Sequence, residues 1–146
     1  MAPGEEPRWK QRFQNFSRAF ALLSGALDGR EISDFSDLEK EGIVQRFEYA
    51  FELAWITFKD YLDFSGLPVG EASPRKIIKQ CAESGIFAAA GICPEAYMEM
   101  MLDRNLLSHT CDLERSEGAL ARIKNRYVAE LDSQRRFFAA KEIAGP

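Results

Sequence analysis

The stretch "SDLEKEGIVQRFEYAFELAWITFKDYLDFSGLP", residues 36–68, decides the fold of this chain. Ser36 followed three positions later by Glu39 is the pattern of a capping box, in which each residue satisfies a free N–H group of the other at the start of a helix. The glycine and proline that close the stretch break a helix, so we predict one from about Asp37 to Phe64. Its apolar stripe, with spacings of three and four, consists of Ile43, Phe47, Ala50, Ala54, Phe58 and Tyr61, widened by Phe51 and Trp55.

Other segments on both sides of this stretch also show helical patterns. A first helix ends at Gly29, and its large apolar side chains follow a 4-3-4-3-4 spacing: Trp9, Phe13, Phe16, Phe20, Leu23 and Leu27. The segment "SPRKIIKQCAESG", residues 73–85, predicts a short third helix with Ser73 as its cap and Pro74 in the first position. The segment "IFAAAGICP" links it to a fourth helix from about Pro94 to Ser108.

A fifth helix is expected to follow Asp112, which serves as its cap, and to run to about Ala139. Its inner face consists of Leu113, Leu120, Ile123, Tyr127, Leu131 and Phe138. No segment has the alternating pattern of a β-strand. The sequence therefore predicts an all-α fold: an up-down bundle of four or five helices in a single domain over residues 1–146, with an ordered core at about 8–140.

Composition and charge limit the possible partners. A chain of 146 residues can bury about 70% of its unfolded surface without help from disulfides or metal. The net charge of −4 gives no general attraction to nucleic acids or anionic membranes. Residues 8–18 hold four basic residues and no acidic one, and residues 122–136 hold five against two. These clusters fit either complementary helix faces within the bundle or a basic rim for RNA phosphates.

The three cysteines indicate the cellular compartment. Cys81, Cys93 and Cys111 are odd in number and widely spaced, which is typical of reduced thiols in the cytoplasm. With a single histidine, they also make a structural zinc site improbable, and we expect neither metal nor cofactor. No apolar leader and no run of about 20 apolar residues stands in the sequence, so we expect a cytoplasmic protein without membrane contact.

The fourth helix is apolar on nearly every side, which is unusual in a small bundle. Its apolar residues are Tyr97, Met98, Met100, Met101, Leu102, Leu106 and Leu107. A helix of this kind is buried on more than one side, and here the simplest second cover is another copy of the chain. We therefore predict a homodimer whose two-fold axis passes near Met98 and Leu102.

The end of the fourth helix, "DRNLLSHTCD" at residues 103–112, contains the only histidine. In a structural interpretation, His109 stabilises the C-terminal end of the helix, where the helix dipole is negative, and Arg104 pairs with Asp103 or a nearby glutamate. In a functional interpretation, Arg104 binds phosphate and His109 transfers a proton, which suits attack of a ribose 2′-hydroxyl on its phosphodiester without a metal. A dimer would bring two copies of the motif together. Asn105 lies on the same helix face as His109.

Two glutamates of the second helix are candidates to support this site. Glu48 and Glu52 are one turn apart beside the apolar stripe. Both side chains could simply be solvated. If they are not, we expect Glu52, or Glu48 in its place, to lie near Arg104 and hold its guanidinium.

Four segments together resemble one known family. They are "WKQRFQNF", "LEKEGIVQRFEYAFELAWITFKDYL", "SPRKIIKQ" and "DRNLLSHTCD", and they resemble the nucleotidyltransferase substrate-binding protein family of the HEPN superfamily over roughly residues 8–130. The resemblance implies a dimeric bundle of four or five helices, encoded beside a small separate nucleotidyltransferase with which it forms a complex. Many HEPN proteins are metal-independent ribonuclease toxins, and the resemblance then implies that Arg104 and His109 are catalytic, with Asn105 following the arginine.

One position departs from the pattern of related toxins. Those toxins often read Arg-x4-His-x-Tyr, and the partner transferase can attach AMP to the tyrosine. Cys111 stands at this position and has no phenol, which leaves Ser108 or Thr110 as alternative acceptors.

Two functions therefore remain open from the sequence. The first is a binding subunit that presents a nucleotide or another substrate to the minimal nucleotidyltransferase. The second is a ribonuclease toxin that the transferase neutralises. A phosphate-binding arginine beside a histidine serves either function.

Overall fold

The helices of the protein follow one another with short connections, as its sequence predicts. The computed structural model describes residues 5–109 and 113–144, and no strand occurs within them. The helices are α1 (Arg8–Leu27), α2 (Asp37–Phe64), α3 (Pro74–Glu83), α4 (Ile86–Ala90), α5 (Pro94–Ser108), α6 (Leu113–Arg122) and α7 (Val128–Ala144). A short 3₁₀ turn, Ile32–Asp34, precedes α2. None of the helices in these two ranges is long and apolar enough to cross a lipid bilayer.

Helix α2 begins and ends where the capping pattern predicts. Ser36 Oγ accepts a hydrogen bond from the backbone N of Glu39 at 3.1 Å, and Glu39 Oε1 accepts one from the backbone N of Ser36 at 3.0 Å. The ion pair with Arg30 and these bonds lower the pKa of Glu39 to about 2. The predicted boundaries of this helix, and the all-α class, are confirmed.

Two details of the helices differ from the sequence-based expectation. The segment expected to be a linker contains α4, which is bounded by Gly85 and Gly91 in left-handed conformations with φ of 83° and 72°. The expected fifth helix is divided by a wide turn, Ile123–Tyr127, with π-helical hydrogen bonding, and it continues beyond Ala139 to Ala144. We call Ile123–Tyr127 the π segment. The expected cap, Asp112, lies outside the described residues.

The core is built around α2, which packs against α1, α3, α5 and α6. All six apolar residues of the first stripe are buried: Trp9, Phe13, Phe16, Phe20, Leu23 and Leu27. At the α7 end, the ring of Phe138 meets the rings of Trp9, Phe13, Phe58 and Tyr61 at centroid distances of 5.1–5.8 Å. Leu120, Ile123, Tyr127 and Leu131 are buried on the same side of the chain as predicted.

One fully buried amide ties three helices together in this core. Gln134 Nε2 on α7 donates to the backbone oxygen of Ala54 on α2 at 2.8 Å, and Gln134 Oε1 accepts a hydrogen bond from the Tyr97 hydroxyl of α5 at 2.9 Å. Burial raises the pKa of Tyr97 well above its usual range, so this hydroxyl keeps its proton and donates. Because a buried amide without partners is costly, these two bonds fix how α5 and α7 sit on α2.

Candidate functional site

An open groove runs between α2 and the C-terminal end of α5. Its volume is about 760 Å³, which is within the usual range for small-molecule sites. Helix α5 supplies Arg104, and α2 supplies Gly42, Gln45, Arg46, Glu48, Tyr49 and Glu52. The groove therefore combines cationic, anionic and aromatic side chains on two rigid helices.

The guanidinium of Arg104 is held in this groove by α2. Its Nη1 lies 3.4 Å from Glu52 Oε2, and its Cζ lies 5.2 Å from the centroid of the Phe51 ring. The same carboxylate oxygen accepts a hydrogen bond from Trp55 Nε1 at 3.1 Å, which fixes the glutamate in turn. The predicted proximity of Glu52 to Arg104 is confirmed by this ion pair. The Arg104 side chain is 22% exposed, so it is supported from behind but still open to a ligand.

Ser108 and Glu48 form the second contact between α5 and α2 beside the groove. Ser108 Oγ lies 2.9 Å from Glu48 Oε2 and 3.0 Å from the backbone oxygen of Arg104. The hydroxyl has one proton for these two acceptors. Glu48 thus anchors the last turn of α5 rather than the arginine itself.

His109 and Asn105 lie on a different face of α5 from Arg104. Helix α5 stays α-helical to Ser108, and His109 is its C-cap, with its backbone N donating to Leu106 O at 3.1 Å. In an α-helix, residues five apart diverge by about 140°, so Arg104 faces the groove while His109 faces outward. Both His109 and Asn105 are exposed, and among the described residues the side-chain partners of Arg104 are Glu52 and Phe51. One copy of the chain therefore does not bring the arginine and the histidine together.

An ionic network centred on the buried Asp103 lies behind the site, and the sequence did not predict it. Asp103 accepts two hydrogen bonds from Arg122, from Nε at 2.7 Å and from Nη2 at 2.9 Å. The hydroxyl of Tyr127 donates to the same carboxylate and lies 3.1 Å from Glu99 Oε1. Glu99 also pairs with Arg126 at 2.7 Å. This network fixes the rotation of α5 and hence the direction in which Arg104 points.

The π segment explains how two residues reach one carboxylate. Arg122 and Tyr127 are five positions apart, and a regular α-helix would place them about 140° apart. Hydrogen bonding from i to i+5 instead brings residues five apart onto the same face. Burial, and then the bond to Asp103, raise the pKa of Tyr127. The bond to Asp103 also raises the pKa of Arg122. The phenol therefore donates and the guanidinium stays charged.

Sequence reasoning also missed four of the six α2 residues that line the groove, among them Gly42. Gln45 and Tyr49 share one face of α2 with Glu48 and Glu52, at spacings of three and four, and Arg46 borders that face. The ring of Tyr49 is 59% exposed although large aromatic side chains are usually covered. An exposed aromatic one turn from a functional glutamate is the signal in the sequence that could have found this face.

The side chains of this groove offer a ligand a cation, hydrogen-bond acceptors and an aromatic ring. In the part of the chain that the structure describes, no three His, Cys, Asp or Glu side chains come together to hold a metal ion. Arg104 offers a fixed cation with N–H donors, which suits a phosphate or carboxylate group. The glutamates offer acceptors and Tyr49 offers a π face.

The fold and the groove define a class: an all-α protein whose longest helix forms one wall of an open polar groove. A comparison with protein families matches residues 11–139 to the family described as "Nucleotidyltransferase substrate binding protein like". Because the match covers most of its length, the chain belongs to this family. Among curated proteins, no sequence matches it.

Proposed function

We propose that this protein is the substrate-binding partner subunit of a two-component minimal nucleotidyltransferase and that Arg104 is its phosphate-binding residue. Membership of the family supports a nucleotidyltransferase partner. The observation that carries the phosphate site is the guanidinium held by Glu52 and Phe51 at the edge of an open groove. An arginine fixed in this way loses little entropy when it binds an anion.

The active form that we propose is a homodimer of the HEPN kind, formed through the outer face of α5. Leu102 and Leu106 are 50% and 43% exposed, and Met98 lies on the same face one turn before Leu102. His109 and Asn105 also lie on this face, at the end of the helix. A second copy packed here would bring two histidines and two asparagines to one cleft beside the grooves of Arg104.

The dimer is tested with a charge in the centre of this face. We expect Leu102→Glu to be monomeric at micromolar concentration, because a carboxylate buried in an apolar contact would be unpaired. Light scattering after size-exclusion chromatography measures the mass. Leu22→Glu is a matched control, since Leu22 is 56% exposed on α1. It should leave the dimer intact, and a monomeric parent protein would contradict the proposal.

The second candidate function is a metal-independent ribonuclease toxin, which the exposed His109 beside the cleft favours. In that reaction, the ribose 2′-oxygen attacks phosphorus and the 5′-oxygen leaves. One imidazole takes the 2′-proton and the second copy's imidazole protonates the leaving oxygen. Arg104 stabilises the charge on the phosphorane.

The two functions give different results when the protein is expressed alone and together with its nucleotidyltransferase. Growth arrest with fragmented RNA, relieved by the transferase and abolished by His109→Ala, indicates the toxin. For a binding subunit we expect intact RNA and normal growth in both cases, with co-purification of the transferase. In either case Arg104→Ala should abolish binding of inorganic phosphate or nucleotide while the protein keeps its helical circular-dichroism spectrum. Unchanged binding in this variant would contradict the proposed phosphate site.

A further inference from the structure

The groove contains more than a phosphate site needs. Gln45, Glu48 and Tyr49 lie on the α2 wall, and no phosphate would contact two carboxylates by preference. This wall offers carboxylate and amide groups at Glu48 and Gln45 and an aromatic ring at Tyr49, and α5 adds the cation of Arg104. A ligand that uses all of these groups needs an anion, hydrogen-bond donors and a flat ring.

Tyr49 provides the flat surface. Its ring is 59% exposed and lies in the groove, and within the described residues it stacks on no other aromatic ring. Gly42 lies almost two turns earlier on the same face, and apart from its chain neighbours and the nearby backbone of α2 no atom lies within 4 Å of the place where its Cβ would be. The groove is therefore open along this stretch of α2. Stacking of a nucleobase on an aromatic side chain contributes about 1–3 kcal/mol and needs such space.

The acceptors beside this ring select among the bases. Glu48 is an acceptor only, and its Oε2 keeps a further lone pair beside the one that Ser108 contacts at 2.9 Å, so both carboxylate oxygens can accept from a ligand. The amide of Gln45 on the same face can accept or donate and therefore does not discriminate between bases. Guanine offers two adjacent donors, N1–H and the N2 amino group. Adenine and cytosine each offer a donor beside a ring acceptor, and uracil offers a donor between two acceptors, so each would set a lone pair against a carboxylate oxygen.

We infer that the groove binds a guanosine nucleotide, with the base stacked on Tyr49, its N1–H and N2 amino group on the carboxylate of Glu48, and its phosphate on Arg104. This inference rests on the proposed function, because it uses the same arginine. The nucleotide is either free or a residue of single-stranded RNA, and both present the same groups to the groove. Glu52 stays with Arg104 and Trp55 and does not take part in base recognition.

Isothermal titration calorimetry of the purified full-length protein with 5′-GMP, 5′-AMP, 5′-CMP, 5′-UMP and inorganic phosphate tests this inference. We expect GMP to bind about tenfold more tightly than the other nucleotides, which corresponds to about 1.4 kcal/mol. Tyr49→Ala should weaken GMP binding about tenfold or more and leave phosphate binding unchanged. Tyr49→Phe is the matched control and should bind GMP as the parent protein does, because it keeps the ring. Since Tyr49 is exposed, both variants should fold normally.

Glu48→Gln separates base recognition from stacking. Its amide can also donate, so we expect the preference for GMP over AMP to fall while AMP binding is kept. Titration with an eight-residue oligoadenylate, with and without one central guanosine, then shows whether the natural ligand is a free nucleotide or a residue of RNA. Stronger binding of the guanosine-containing oligomer than of GMP itself indicates RNA, and equal binding indicates the free nucleotide.

The outcomes that overturn the inference differ from those that overturn the proposed function. If all nucleotides and phosphate bind equally through Arg104, or if Tyr49→Ala has no effect on GMP binding, the inference that the groove recognises a base is wrong. The proposal that Arg104 binds phosphate is then still supported. If neither phosphate nor any nucleotide binds, or binding does not depend on Arg104, both are wrong.

Discussion

Replacing Phe138 by alanine is expected to lower the free energy of unfolding by about 4 kcal/mol, the largest effect of any single change proposed for this protein. The side chain is fully buried, and its ring lies within 5.8 Å of four aromatic rings from α1 and α2. Truncation removes these contacts and leaves a cavity that rigid neighbouring rings cannot fill. Urea unfolding followed by circular dichroism measures the change.

The adjacent Phe137 is a matched control for this substitution. It is the same residue type in the same helix, but it is only partly buried and packs on the edge of the core. We expect Phe137→Ala to cost about 2 kcal/mol, because less surface returns to water and no closed cavity forms. Equal effects of the two changes would show that the core is not centred on Phe138.

Asp103→Asn is expected to destabilise the protein by about 2–3 kcal/mol, although the side chain changes by one atom. The buried carboxylate accepts both N–H groups of Arg122 and the hydroxyl of Tyr127. An amide turns its own N–H groups toward one of these donors and no longer neutralises the guanidinium. We place the effect below that of a fully buried pair because the Arg122 side chain is 39% exposed and can turn to water.

Asp132→Asn is the control for the loss of a charge. Asp132 pairs with Arg135 and Arg136 on the surface of α7, and pairs of this kind contribute about 0–1 kcal/mol. Thermal unfolding of both variants gives the comparison. A melting temperature for Asp103→Asn within error of that for Asp132→Asn would mean that the network behind Arg104 does not hold α5 in place.

Most of the helical structure could be predicted from the sequence because its signals are local. The capping box at Ser36 and the apolar spacing of α2 determine both ends of that helix through contacts within a few residues. The π segment has no such local signal. It forms because Arg122 and Tyr127 both reach Asp103, which lies 19 and 24 positions earlier in the chain. A tertiary contact thus overrides the α-helical preference of that segment.

In the candidate site too, contacts that follow from the pattern of one helix could be predicted, and contacts between residues distant in sequence could not. Glu52 beside Arg104 could be predicted because a carboxylate next to the apolar stripe of α2 faces whatever packs there. The ion-pair partner of Asp103 could not be predicted. The sequence suggested the adjacent Arg104, but in the folded chain the carboxylate pairs with Arg122, which is distant in sequence. The place of Tyr49 off the apolar stripe of α2 is a local signal, but the fraction of this residue left exposed is known only once α5 is packed against α2.

The π segment also has a consequence for insertions and deletions in this part of the chain. Removing one residue between 123 and 127 would restore a regular α-helix in which the residues now numbered 122 and 127 are four apart and still share one face. Both would still reach Asp103, whereas a second extra residue in this segment would turn Arg122 away from Asp103 by about 100° relative to α7. We therefore expect this segment to accept the loss of one residue but not the gain of one.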